Sequence, residues 1–166
     1  MQKLTNQIEI LNSIPWFLDL NREQIERLAR ITTIEEINAG DQIFCEGDRV
    51  DNLYIILSGQ VSVDMAVPTR GQVRITIAEA LDIIGWSKMT PMVRQRTAST
   101  HALIKTRLLV INGDELTALC EEDHHTGYIV MRRLANVVAS NLLSVKLQLM
   151  DLILHGSADP VRPPEK

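Results

Sequence analysis

The feature that most constrains this chain is a series of short apolar runs cut by glycine turns between Ile34 and Ile111. Ile34 and Ile37 precede the turn signal Ala39-Gly40-Asp41, and Ile43-Phe44 precede a second, Glu46-Gly47-Asp48. Leu53-Tyr54-Ile55-Ile56-Leu57 reads as a buried strand, and Ser58-Gly59 ends it. Val61 and Val63 alternate with Ser62 and Asp64, the pattern of a half-buried strand. Pro68-Thr69-Arg70-Gly71 marks a loop, Val73, Ile75 and Ile77 resume the alternation, and Leu103 to Ile111 is a further strand. Short strands at this spacing predict a β-barrel or sandwich. Gly40, Gly47 and Gly59 stand where turns need φ > 0 or close backbone approach, a structural role.

The flanks read as helix. Thr5 to Ile31 is helical, broken by Pro15, with Asn21 as an N-cap and Gln24 three residues on. Asn112-Gly113-Asp114 opens a short helix, and Tyr128 to Leu154 is a long one without Pro or Gly. The tail from Gly156, with Pro160, Pro163 and Pro164, is expected to be extended and disordered. The chain has 166 residues, 45% of them apolar, which suits one domain with its own core. A net charge of −4 gives no bias toward nucleic acid or anionic lipid. Cys45 and Cys120 form no CxxC pair, so a reduced, cytoplasmic setting fits best. No signal core precedes the domain, and no stretch of about 18 uncharged apolar residues is found, so no membrane span is expected.

The stretch from Gly40 to Asp48 (GDQIFCEGD), continued by Asp51 to Val63 (DNLYIILSGQVSV), resembles the cyclic-nucleotide-binding domain family. The pattern G-D-x-I-F-x-x-G-D-x-x-D-x-L-Y is specific because several turns and strands must coincide in register. The resemblance implies an α+β, mainly β fold: a jelly-roll-like β-roll, or double-stranded β-helix, flanked by N-terminal helices and a long C-terminal helix. Its expected boundaries are a domain over 1–155, with helices in 5–31, the roll in 34–111 and C-terminal helices in 114–154, then a tail over 156–166. The cassette tripeptide Gly85-Trp86-Ser87 and the run Tyr128 to Ala135 are also similar to short bacterial single-domain members.

In that family a phosphate-binding cassette, G-E-[LI]-A…R-[TS]-A, holds the ligand. Amides at a helix start and one arginine take the cyclic phosphate, and the glutamate takes the ribose 2′-hydroxyl. Here Arg96-Thr97-Ala98 matches the arginine end and Gly85 the glycine, but Trp86 stands at the glutamate position. An indole offers one donor and no acceptor. Either the ribose is held differently, or the ligand is not an ordinary cyclic purine mononucleotide. Trp86 either stacks on a base or fills an empty pocket. A slip in the loop alignment would exchange Arg94 with Arg96, and Lys88 adds a nearby charge whose expected role is that of a solvated surface cation. The resemblance therefore implies a ligand set of Gly85, Trp86, Ser87, Arg94, Arg96, Thr97 and Ala98, a cAMP- or cGMP-like anion, and no cofactor or metal.

Met131, Ala135, Val138, Leu142, Val145, Leu149 and Leu152 follow a four-three spacing, a heptad seam. A second apolar row, Val130, Leu134 and Val137, then Leu143, Leu147 and Met150, lies beside it. The seam predicts a homodimer through this helix; the alternative is that both rows pack within one subunit. Ser140, Asn141 and Ser144 are solvent-facing or dimer contacts, or reach a base. Only Gly156 to Lys166 follow, too few for a recognition helix, so no direct DNA binding is expected. His124 and His125 beside Glu121, Glu122 and Asp123 lack metal-site spacing, and no catalytic motif is found, so the chain is not expected to be an enzyme. Two functions stand open. One is a ligand-sensing module that signals through its C-terminal helix to a protein partner. The other is a ligand-free roll that serves as a dimeric docking subunit.

Overall fold

The computed structural model describes residues 2–49, 51–90, 93 and 95–156. The chain divides into two units, Met1–Val130 and Met131–Lys166.

The first unit opens with α1 (Gln2–Ser13), a 3-10 turn at Pro15–Phe17, and α2 (Arg22–Arg30). Pro15 ends α1 as expected, because Ile14 before it is extended at φ −88°, ψ 121°. Asn21 starts α2 with a full capping box: its side chain accepts from the Gln24 amide, and Gln24 Oε1 accepts from the Asn21 amide, each at 3.0 Å. Eight strands follow: β1 (Thr32–Ile37), β2 (Gln42–Phe44), β3 (Asn52–Ser58), β4 (Val61–Val67), β5 (Gly71–Ala78), β6 (Ile83–Ile84), β7 (Ser99–Ala102) and β8 (Thr106–Asn112). They form two antiparallel four-stranded sheets, ordered β1-β8-β3-β6 and β2-β7-β4-β5. The inner faces meet in a core of Ile56, Val61, Ala78, Ile84, Leu108 and Val110, contributed by both sheets. Closing β4 over the neighbouring chain requires Gly59: at φ +109°, its absent Cβ would lie 2.3 Å from Thr106 Oγ1.

Three sequence expectations change here. Ser62 and Asp64 do not face water; both are buried, and Ser62 Oγ donates to Asp64 Oδ2 at 2.8 Å. Asp64 also takes Arg74 Nε at 3.2 Å, so the polar pair is satisfied in place. The alternation Val73, Ile75, Ile77 breaks at a bulge, since Val63 pairs with Thr76 but Asp64 with Arg74. The extra residue flips the face, leaving Ile77 exposed and Ala78 in the core. Finally, Leu103 to Ile111 is not one strand: 103–105 form a bend and β8 starts at Thr106. The preceding β7, Ser-Thr-His-Ala, carries no apolar alternation, and its strand state comes from pairing with both β2 and β4.

After β8, Asn112 caps α3 (Gly113–Glu122), and α4 runs from His124 to Gly156. The long helix thus starts four residues before the expected Tyr128. Asp123 caps it: Oδ1 accepts the His125 and Thr126 amides at 3.0 and 3.3 Å, and Oδ2 accepts Thr126 Oγ1 at 2.7 Å. Gly127 lets α4 approach α3, because a Cβ there would lie 2.7 Å from the Cys120 carbonyl oxygen. Gln24 Nε2 reaches across from α2 to Asp123 Oδ2 at 2.7 Å and His125 Nδ1 at 3.1 Å. One glutamine therefore joins two helix starts. Glu122 pairs with Arg27.

In the second unit α4 continues to Gly156, which belongs to the helix and not to the tail; 157–166 lie outside the described residues. Leu134 is buried and Val137 half-buried. The seam residues Met131, Ala135, Val138, Leu142, Val145, Leu149 and Leu152 are all exposed, as are Leu143, Leu147 and Met150. The sequence reading expected no membrane-length segment, yet His124–Leu154 is long and apolar enough by length and composition to cross a bilayer, with an 18-residue window of mean hydropathy 1.5. Residues 137–154 contain only two charged side chains, Lys146 and Asp151.

These bonds hold the Asp123 carboxyl well below the usual carboxylate range, chiefly through the Thr126 and Gln24 hydrogen bonds. A depressed folded pKa gives stability that is fully present above the unfolded value of about 4 and is lost progressively as pH falls from there through the lower folded value. Asp123→Ala is expected to lower unfolding stability at pH 7 by about 1 kcal/mol, the usual worth of an N-cap. The gap between wild type and variant should shrink by pH 3, as measured by urea unfolding at both pH values.

Candidate functional site

The site forms where the two sheets open between β6 and β7. Strand β6 ends at Gly85, which adopts φ +74°, ψ 17° and turns the chain into a single 3-10 turn, Trp86–Met89. A side chain at Gly85 is barred twice: the left-handed backbone disfavours it, and a Cβ would lie 2.5 Å from Arg96 Nη1 and 3.0 Å from the Asn52 carbonyl oxygen. The expected helix N-terminus, with free amides for an anion, is reduced to this one turn. Its Gly85 carbonyl accepts from the Lys88 amide at 3.3 Å, and the Ser87 carbonyl accepts from the Thr90 amide and Thr90 Oγ1 at 3.1 and 2.7 Å.

Arg96 comes from the other side. Its backbone pairs with the 47–48 turn: its amide donates to the Asp48 carbonyl at 2.8 Å, and its carbonyl accepts from Gly47 at 2.9 Å. Its side chain runs inward, and the residue is 4% exposed. Nη1 donates to the Gly85 carbonyl at 3.0 Å and Nη2 to the Asn52 carbonyl at 2.6 Å. The guanidinium carbon lies 4.3 Å from the Phe44 ring centroid and 5.7 Å from that of Tyr54. Nε is buried without a hydrogen-bond partner. Burial lowers the Arg96 pKa, against smaller opposing effects of Tyr54, Asp51 and Asp48; an arginine stays charged regardless. Among the described residues, no carboxylate lies within ion-pair distance of it. A second orphan is Thr100 Oγ1, in a residue 1% exposed whose backbone faces Phe44 and Val63 across the β2-β7-β4 pairing.

The other residues singled out from sequence are distributed unevenly. Trp86 is half-buried. Ser87 is buried, Thr97 exposed and Ala98 intermediate. Arg94 lies outside the described residues. Lys88 is neither solvated nor aimed at the site: its Nζ pairs with Asp114 Oδ1 at 2.5 Å, and that bond lowers the Asp114 pKa. Its stem crosses Gly113, where a Cβ would lie 2.2 Å from Lys88 Cγ. The cassette turn is thereby tied to the first turn of α3, and Thr117 Oγ1 lies 3.9 Å from Met89 Sδ. Sequence reasoning missed Phe44, Tyr54, Asn52 and Thr100 as members of the site. Phe44 and Tyr54 were visible inside the glycine-punctuated motif, but nothing local marks them as the faces on which an arginine lies.

The cyclic nucleotide-binding domain model matches residues 34–123. A Rhodopseudomonas palustris protein carried under the name of a potassium channel is 24% identical over 148 residues, covering 88% of this chain and 34% of that protein. The chain thus spans about a third of that relative's length. Among solved structures, a cyclic nucleotide-binding domain from Methylobacillus flagellatus is 27% identical with a TM-score of 0.74, covering 97% of this chain and 88% of that one. The regulatory subunit of a cAMP-independent protein kinase A from Trypanosoma brucei shares the fold at 19% identity and a TM-score of 0.72, covering 89% of this chain and 52% of that one.

Arg96→Ala would leave the Gly85 and Asn52 carbonyls without their donor. It is expected to cost about 1–3 kcal/mol of stability before any ligand is added, read as a lower urea midpoint at an unchanged m-value. Gly85→Ala should cost a similar amount through strain at φ +74° and contact with Arg96.

Proposed function

The chain belongs to the cyclic nucleotide-binding domain family, and we propose that it is a regulatory module sensing a small anion, a cyclic nucleotide or a relative of one. The observation that carries this reading is Arg96: a buried cation with, among the described residues, no carboxylate within ion-pair distance and no hydrogen-bond partner at Nε. Buried charges are ordinarily paired, and an unsatisfied buried donor costs about 1–3 kcal/mol. An anion oxygen at the Nε edge would satisfy both needs, while Phe44 and Tyr54 shield the contact from water. Gly85, Trp86, Ser87, Thr97 and Ala98 frame the site in this reading, with Arg94 as a further candidate. The fold alone does not choose the ligand, since the similar Trypanosoma brucei subunit is named cAMP-independent.

Signalling would follow from a ligand that prefers one position of the cassette turn. The Lys88–Asp114 pair links that turn to α3, which leads into α4. The exposed heptad seam from Met131 to Leu152 supports a homodimer and, through it, contact with a protein partner. The free thiols of Cys45 and Cys120 suit a reducing compartment, and the role is regulatory, not catalytic. The ligand-free docking reading is favoured by one observation: Arg96 already holds the Gly85 and Asn52 carbonyls, so the roll closes without a guest.

A thermal-shift screen against cyclic mono- and dinucleotides separates the two. A ligand at a hundred times its dissociation constant adds about 2.7 kcal/mol to stability. Silence from every compound at millimolar concentration would favour the docking subunit. Calorimetry should show binding lost in both Arg96→Ala and Arg96→Lys. Light scattering should give a dimer that Leu142→Glu with Leu149→Glu converts to a monomer; a wild-type monomer at high micromolar concentration overturns the seam.

A further inference from the structure

We infer that α4 carries a second self-association face, separate from the heptad seam, through which dimers of this chain join one another; this rests on the dimer reading above. The face is the row Leu143, Leu147, Met150 and Leu154. Its four-three-four spacing is that of a short heptad seam. Each of the four side chains is more than half exposed. At about 100° per residue, the row lies about 140° around the helix from the seam that runs from Met131 to Leu152. A two-stranded coil buries one stripe of each helix, so pairing through the longer seam leaves this row in water.

The charges identify what covers it. The two charged side chains within residues 137–154, Lys146 and Asp151, are both exposed. They stand about 70° to either side of the row's midline, the positions that flank a seam and set the choice and direction of its partner. About the longer seam only Lys146 flanks, and Asp151 lies on the far side of the helix. In a parallel pair in register, the flank that closes one heptad faces the residue five further along the other helix. Lys146 and Asp151 are five residues apart. Two copies of the row laid parallel therefore set each Lys146 beside Asp151 of the other copy, so the contact occurs twice. An antiparallel pair puts like flanks together and offers no such match. A bilayer is the poorer occupant, because Lys146 stands near the middle of 137–154 and would lie at the membrane centre, where a charge is costly. The row covers only about 17 Å of helix, so it joins dimers already held by the longer seam, and more weakly than that seam holds them.

The test is sedimentation equilibrium on the full chain, from micromolar to millimolar concentration. The mass is expected to reach that of the dimer and then to rise past it at the upper end. Lys146→Asp sets carboxylates against each other at both contacts, and Asp151→Lys does the same with ammonium groups. Either change is expected to weaken the joining of dimers by about tenfold and to leave the dimer itself intact. The two changes together exchange the charges and should restore the wild-type behaviour. Leu147→Gln with Leu154→Gln should abolish the further association, with helix content by circular dichroism unchanged, since both positions are exposed. A wild-type mass that stays at the dimer throughout overturns the inference and leaves the longer seam standing. A monomer throughout overturns both. A double charge exchange that fails to restore association overturns the pairing of Lys146 with Asp151 of the other copy. Flotation of the wild type with vesicles of phosphatidylcholine and phosphatidylglycerol makes a bilayer the occupant and overturns the inference.

Discussion

The clasp made by Arg96 is the interaction on which the rest of this structure depends. One guanidinium joins the carbonyl that follows β6 to the carbonyl that begins β3, and does so against a pair of aromatic rings, Phe44 and Tyr54, that also touch each other. The cation is taken from water without a countercharge, so the surrounding chain must supply acceptors in fixed places. That requirement explains Gly85: only a residue without Cβ lets the backbone come within reach of Nη1. It also explains the short turn that follows, because the carbonyl that would start a regular helix is shared with the arginine.

A second layer of contacts carries the position of that turn outward. Lys88 crosses Gly113 to reach Asp114, so α3 begins where the cassette ends. At its far end α3 meets Asp123, whose carboxylate caps α4 and takes the Gln24 amide from α2. Every link in this chain is a polar contact made possible by a glycine or a capping residue, and so each is short and directional.

Much of the fold was legible in the sequence. The turns at Gly40, Gly47 and Gly59, the capping box at Asn21 and Gln24, and the strand Leu53–Leu57 announce themselves through local chemistry. Where the reading failed, a distant partner decided. Ser62 and Asp64 are polar and yet buried, because Arg74 and each other satisfy them. Strand β7 has no strand-like pattern and exists because β2 and β4 flank it. The long helix starts before Tyr128 because Asp123 caps it and takes Gln24 from α2. The bulge at Ile75 shifts one residue of register, which no periodicity within β5 reveals.

The candidate site divides the same way. Sequence by itself placed Arg96, Gly85 and Trp86 in one loop region through the family resemblance, with an indole standing where that resemblance expects a carboxylate. Only the tertiary structure decided that Arg96 is buried, that its fork is held by Gly85 and Asn52, that its Nε is left unpaired, and that Lys88 belongs to Asp114. The reason is physical: residue types fix which hydrogen bonds a side chain can make, but which of them are already made depends on backbone carbonyls brought together from distant strands.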